Sequence, residues 1–213
     1  NTSDISDIKT RLAQLEYTDV VISSFSASPA TLEMGDTSGN VILAITANKL
    51  LNPTTDSVTV DGTSVVVKAD SKIASLVVTK PTTTKTYSAK IVDTVGELTS
   101  TATKSATVSV YYALFSGVAA SVDAFKTSTS KNKQLKSSSA CTITETATTG
   151  QHIYFATPYN DNPTFWSGGI EGGFKKVSGE QKITNSFGKE TTYYIYESTN
   201  TNLGKTTIEI KRG

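Results

Sequence analysis

One histidine and one cysteine bound the chemistry open to this chain of 213 residues. His152 by itself excludes a histidine-based metal cluster, and any histidine-dependent triad would have to use it. In Q-H-I-Y-F-A (151–156) it alternates with Ile153, which puts it on the strand face opposite the expected core, with no visible nucleophile or orienting partner. Cys141 alternates with Ile143 in C-T-I-T-E-T and reads as a small core residue, not a reactive thiol. Being alone, it also rules out an internal disulfide. Glu33 and Asp36, or Asp93 and Glu97, flank turns without an acid-base context, whereas a glycosidase needs two carboxyls at a set separation in a cleft. Asn160, Asp161 and Asn162 carry ligand oxygens but not the recurring spacing of a calcium loop, so they read as a turn. No catalytic residue, no metal ligand and no cofactor are expected, and the chain reads as non-enzymatic.

The surface best suited to a ligand is Tyr159, Asn160, Asp161, Phe165 and Trp166. Flat aromatic faces beside amide and carboxylate groups suit a sugar, giving apolar area to the ring and directional bonds to its hydroxyls. The competing reading puts Phe165 and Trp166 in a core or a subunit contact. G-G-I-E-G-G (168–173) lacks the Lys-Ser or Lys-Thr and the helix start of a phosphate loop; its glycines are expected to let backbone approach backbone in a tight bend. K-T-S-T-S-K-N-K-Q-L-K-S-S-S (126–139), with four lysines and no acid, offers contact to anionic wall polymers or nucleic acid, but it lacks the interleaved aromatics that stack bases, and the stronger reading is an exposed, solvated loop.

These residues need a scaffold, and the composition points to strands. Hydrophobic residues are 37% and charged residues 18%, with Thr and Ser filling much of the difference, as in half-buried strands whose solvent faces carry hydroxyls. A formal charge of +1 provides no global field toward nucleic acid or anionic membrane, so neither is expected as a partner. No apolar run of membrane-spanning length and no secretory-signal layout occur. A start at Asn1 instead of Met leads to the expectation that an upstream part exists.

Three segments follow from the periodicity: a helix over 1–16, a β-sandwich over 17–112 and a second β module over 113–213. In the first, Ile5, Ile8, Leu12 and Leu15 stand three, four and three residues apart, a heptad seam with Ser3 or Asp4 able to cap the start. The competing reading is an amphipathic helix packed on its own domain. Two heptads cannot hold an oligomer alone; the seam is expected to be the tail end of a longer coil or to set the register of copies that also touch through their β modules, and its mixed Ile and Leu leave dimer and trimer open. From Tyr17 to Tyr112 about seven short runs of period two follow, with Asp61-Gly62 as a two-residue hairpin turn. Beyond them, strands are expected at 141–146, 151–156, 192–198 and 206–211, with A-T-T-G a hairpin-length turn between the first two.

The middle segment resembles bacterial and phage immunoglobulin-like domains through S-F-S-A-S-P at its entry, Met34-Gly35, and Y-S-A-K-I-V-D from Tyr87 to Asp93, without the Cys and Trp pattern of antibody domains. The last 60 or so residues resemble a terminal module of tailed-bacteriophage virion proteins. The resemblance rests on Y-F-A-T-P (154–158), P-T-F-W-S-G-G-I-E-G-G-F (163–174), T-N-S-F-G (184–188), Y-Y-I-Y-E-S (193–198) and L-G-K-T-T-I-E-I (203–210), in that order. It departs at Tyr159 to Asn162, where individual specificity is expected. The resemblance implies a mainly β virion appendage (tail fibre, baseplate or head fibre) with a short coiled-coil helix, an immunoglobulin-like sandwich and a terminal β knob. It further implies a homo-oligomer, a trimer, whose partners are other virion proteins or a host cell-surface polysaccharide. Rival readings are a decoration protein without receptor binding, a bacterial surface adhesin, and a polysaccharide-degrading enzyme.

Overall fold

In a computed structural model describing residues 2–213, 55% of the chain is strand and 9% helix, so the protein is mainly β. The chain divides into two units, one taking the residues up to Thr31 together with Thr37–Ser109, the other Leu32–Asp36 together with Val110–Gly213.

Up to residue 111 the elements are α1 (Thr2–Leu15), β1 (Ile22–Ser28), β2 (Thr31–Glu33), β3 (Asn40–Leu51), β4 (Ser57–Val60), β5 (Thr63–Val65), β6 (Ser71–Thr79), β7 (Lys85–Val95) and β8 (Leu98–Tyr111), all in the first unit except Leu32 and Glu33 of β2 and Val110 and Tyr111 of β8. They form a three-stranded sheet, β1-β3-β6, and a five-stranded one, β2-β8-β7-β4-β5. Alternation decides which face is inside. Along β3, Val41, Leu43, Ile45 and Ala47 are buried while Ile42 is half exposed; along β7, Tyr87, Ala89, Ile91 and Asp93 are buried. Asp93 can sit inside because Lys49 Nζ meets its carboxylate at 2.6 Å and also donates to Thr18 O at 2.9 Å. Between β4 and β5, Asp61 at φ 49° and Gly62 at φ 80° make the two-residue turn, pairing Val60 with Thr63.

The second unit contains β9 (Leu114–Ala119), α2 (Val122–Thr127), β10 (Asn132–Gln134), β11 (Cys141–Ala147), β12 (His152–Thr157), β13 (Thr164–Ser167), β14 (Ile170–Glu171), β15 (Phe174–Lys176), β16 (Gln181–Thr184), β17 (Glu190–Ser198) and β18 (Gly204–Lys211). One sheet runs β10-β9-β12-β17-β15 with β16 also on β17; the other runs β11-β18-β13-β14. Leu114, Ile153, Phe155 and Tyr196 from the first sheet meet Ile143, Phe165, Ile208 and Ile210 from the second in one core. A second core covers the other face of the larger sheet, where Phe115, Tyr154, Tyr193 and Ile195 pack with Phe125 of α2 and Ile183 of β16. Phe125 is fully buried, its ring stacked 5.0 Å from Tyr154.

This double coverage changes the expectation for His152. Its strand is inside on both faces, so the face opposite Ile153 is also a core face; His152 is half buried and its Nδ1 lies 2.7 Å from Ser198 O. Three further expectations are corrected. The stretch 126–139 is not simply a loop: it contains the end of α2, capped by Ser121 Oγ accepting from Ala124 N, and β10 paired to β9. A-T-T-G does not close a hairpin, because β11 pairs with β18 while β12 pairs with β9 and β17, so the turn passes the chain from one sheet to the other. The glycines at 168–173 have open space where a Cβ would stand; they are needed for positive φ, with Gly168 (57°) and Gly169 (83°) turning β13 into β14.

Asn185 explains why five residues from early in the chain belong to this unit. Its side-chain amide donates to Met34 O at 2.7 Å, and its Oδ1 accepts from Phe187 N and Lys189 N at 3.0 and 2.9 Å. Gly35, at φ 93°, has no room for a Cβ, which would stand 2.6 Å from Lys189 Cγ. Asn185→Ala strands a half-buried carbonyl and two turn amides, and is expected to cost about 1–3 kcal/mol, read as a lower urea midpoint from the fluorescence of Trp166. An unchanged midpoint would remove Asn185 as the clasp.

Candidate functional site

The seam residues lie on one outward face of α1. Ile5, Ile8, Leu12 and Leu15 are 55%, 65%, 52% and 85% exposed. The opposite flank, Lys9, Thr10 and Ala13, faces the helix's own unit across a cleft shared with Asn52, Asp56 and Gly96. Lys9, Thr10 and Ala13 are exposed too, and Gln14 alone among residues 3–15 is half-buried, so the apolar stripe is left in solvent by a helix that buries little of itself on its own unit.

The five residues expected to meet a ligand have unequal environments. Phe165 is in the core, its ring 4.4 Å from Phe174 and 5.1 Å from Tyr196, so no face remains for a sugar. Tyr159 is half buried against the same core, with its hydroxyl donating to Lys136 O at 2.5 Å. Asp161 accepts from Ser139 N at 2.9 Å and Ser139 Oγ at 2.5 Å, which makes it a brace between two loops. Asn160 is exposed, and Trp166 is half buried with Lys211 Nζ 4.4 Å above its ring and its indole N–H on Thr164 Oγ1.

A second arrangement in the same unit gathers lysines that the sequence reading left on an exposed loop. A cleft of about 640 Å³ opens between the end of α2, β10 and the segment from Lys182 to Ser186. Four lysines, Lys126, Lys131, Lys133 and Lys182, line it against one carboxylate, Glu33. Glu33 is buried and is met by Lys133 Nζ at 2.6 Å. Lys131 Nζ donates to the carbonyls of Lys126 (2.9 Å) and Ser128, lies 5.6 Å and 5.9 Å from the ring centroids of Phe115 and Phe125, and has no carboxylate within ion-pair distance among the described residues. Burial holds its pKa below the usual lysine range. Lys126 and Lys182 have acidic neighbours only at the exposed rim: Asp123 at 3.7 Å, and Glu180 and Glu190 at 3.8 and 3.6 Å. The available signal was the run S-V-D-A-F-K, which starts a capped helix and folds the lysines after it inward.

Elsewhere the titratable groups are structural. Burial would raise the Glu197 carboxyl, but bonds from Lys175 and Tyr154 outweigh it and hold the pKa low. Tyr154 and Tyr193 are pushed well above the ordinary phenol, first by burial. Of the carboxylates weighed for acid-base work, Glu33 and Asp93 are each tied to a lysine. Among the described residues no three histidine, cysteine or carboxylate side chains gather to hold a metal ion, and no helix is long and apolar enough to cross a membrane.

Burial pushes the Cys141 thiol up from 9.0 to about 11, with Lys136 pulling the other way. Its thiolate is therefore scarce at pH 8, and folded chain is expected to react with a disulfide reagent far more slowly than urea-unfolded chain; equal rates would refute this. Because the folded value lies above the unfolded one, the stability this proton contributes is complete below pH 9.0 and is lost as the pH rises toward 11.

Neither a protein-family model nor a curated protein matches this sequence.

Proposed function

We propose that the chain is a structural protein of a bacteriophage virion, an appendage whose copies join through α1 as a trimer. In this reading α1 is a short coiled coil, the first unit an immunoglobulin-like spacer, and the second unit a β knob that attaches to a host-surface polysaccharide or to a neighbouring virion protein. The observation that carries it is the stripe of Ile5, Ile8, Leu12 and Leu15, four apolar side chains left exposed along one face of α1. An apolar stripe in water is stabilised by burial, roughly 1.5–3 kcal/mol for each fully covered side chain. Like stripes on other copies offer the matching knobs and holes. Supporting it is the resemblance of the last 60 or so residues, which fall in the second unit, to a terminal module of tailed-bacteriophage virion proteins.

The test is the solution mass by light scattering together with sedimentation on host wall polymer. Three copies per particle, and stronger retention of the trimer than of a monomeric variant, are the expected results, because linked weak sites gain from effective concentration. A single-copy particle overturns the assembly, and equal retention overturns attachment through repeated sites.

A further inference from the structure

The lysine-lined cleft of the second unit has the features of a binding site whose occupant is an anion. Its walls bring four ammonium groups to one carboxylate, and that carboxylate is already matched by Lys133. Lys131 is the informative residue. Two of its three N–H donors go to backbone carbonyls, which orient the ammonium but carry no charge to offset it. A half-buried cation without a counter-charge is costly, and an anion in the cleft removes that cost. Lys126 and Lys182 reach the cleft with only exposed, solvent-screened acids beside them, so an incoming anion competes with weak partners.

The remaining lining narrows the class of ligand. Thr129, Thr184 and Ser186 are exposed, and among the described residues their hydroxyls make no hydrogen bond. Such a rim suits a ligand with several hydroxyls of its own. The volume of about 640 Å³ exceeds what one inorganic ion fills and lies within the range of small-molecule sites. Phe115 is the one aromatic in the lining and is buried, while Phe187, 40% exposed, stands beside the cleft with Lys133 Nζ 5.9 Å from its ring centroid, so the oligonucleotide is a needed competitor in the test.

We propose that this cleft binds an anionic carbohydrate, with Lys126, Lys131 and Lys182 meeting its carboxylate or phosphate and Thr129, Thr184 and Ser186 meeting its hydroxyls. The inference deepens the attachment reading and rests on it for the polymer's origin on a host surface. The two fail separately: wall-polymer retention that survives loss of the lysines would end the cleft proposal alone.

The experiment is an amide chemical-shift titration of the full chain with D-glucuronate, with glycerol 3-phosphate, with neutral D-glucose and with a short single-stranded oligonucleotide. Saturable shifts at Ser128, Thr129 and Ser186 with either anion, and none with glucose, are expected; which anion binds more tightly tells a carboxylated from a phosphorylated polymer. The exposed-rim variant Lys126→Gln/Lys182→Gln should weaken binding at least about tenfold, equivalent to ~1.4 kcal/mol, while Lys175→Gln/Lys205→Gln, outside the cleft, should leave it unchanged. Added salt should weaken it too. Absence of saturable shifts, equal binding of glucose, tighter binding of the oligonucleotide, or an undiminished affinity in the Lys126→Gln/Lys182→Gln variant would each overturn the proposal.

Discussion

Replacing Ile8 and Leu12 together by aspartate is expected to reduce the particle to single copies while leaving both units folded. Both residues lie mid-stripe, 65% and 52% exposed in the single chain, so the substitution removes nothing that the units need. In an assembled seam, each fully covered apolar side chain contributes roughly 1.5–3 kcal/mol, and every copy loses two of them. The aspartates then bring like charges together at positions that face each other across the seam, which adds repulsion to the lost burial. Light scattering reads the mass, and a far-UV spectrum with its strand signal intact shows that folding is unaffected. If the parent is a trimer and the variant stays one, the copies are held by other surfaces and the stripe is not the joint.

Phe155→Ala is expected to produce the largest loss of stability in the second unit. Phe155 is fully buried in the middle of β12, its ring edge-on to Phe165 at 5.9 Å, in the core shared by the two sheets. Truncating such a ring costs about 3–5 kcal/mol, transfer and cavity terms together, out of a total that for a domain is about 5–15 kcal/mol. Trp166 is the chain's one tryptophan and lies on β13 in the same unit, so its fluorescence follows this unit alone through urea unfolding. A large drop in that midpoint is expected. A loss below about 1 kcal/mol, the level of an ordinary surface change, would mean that the two sheets do not share this core.

Parts of this were legible in residue order. Asp61-Gly62 specified its turn because two successive positive φ angles admit few residues, and both are positive in the structure. The stripe of α1 was legible because heptad spacing maps directly onto one helix face. The second unit was harder. Phe165 was left open between a sugar platform, suggested by aromatic and amide residues close in sequence, and a core position; alternation along β13 sends Phe165 and Trp166 to opposite faces, and Phe165 takes the core side. A-T-T-G had the length of a hairpin turn, but turn length does not say which sheet the next strand will join.

By itself, the order of residues determined the mainly β class, the helix ahead of it, the facing of alternate side chains and the sharpest turns, because each depends on local steric preference and on a period that needs no distant partner. Tertiary structure alone decided that the larger sheet of the second unit is buried on both faces, that Leu32–Asp36 belongs with the late chain, and that Lys126, Lys131, Lys133 and Lys182 converge on one cleft. Those outcomes depend on contacts between residues up to 151 positions apart, as Asn185 and Met34 are. No local spacing encodes such a contact, since its free energy exists only once the strands carrying both partners have paired.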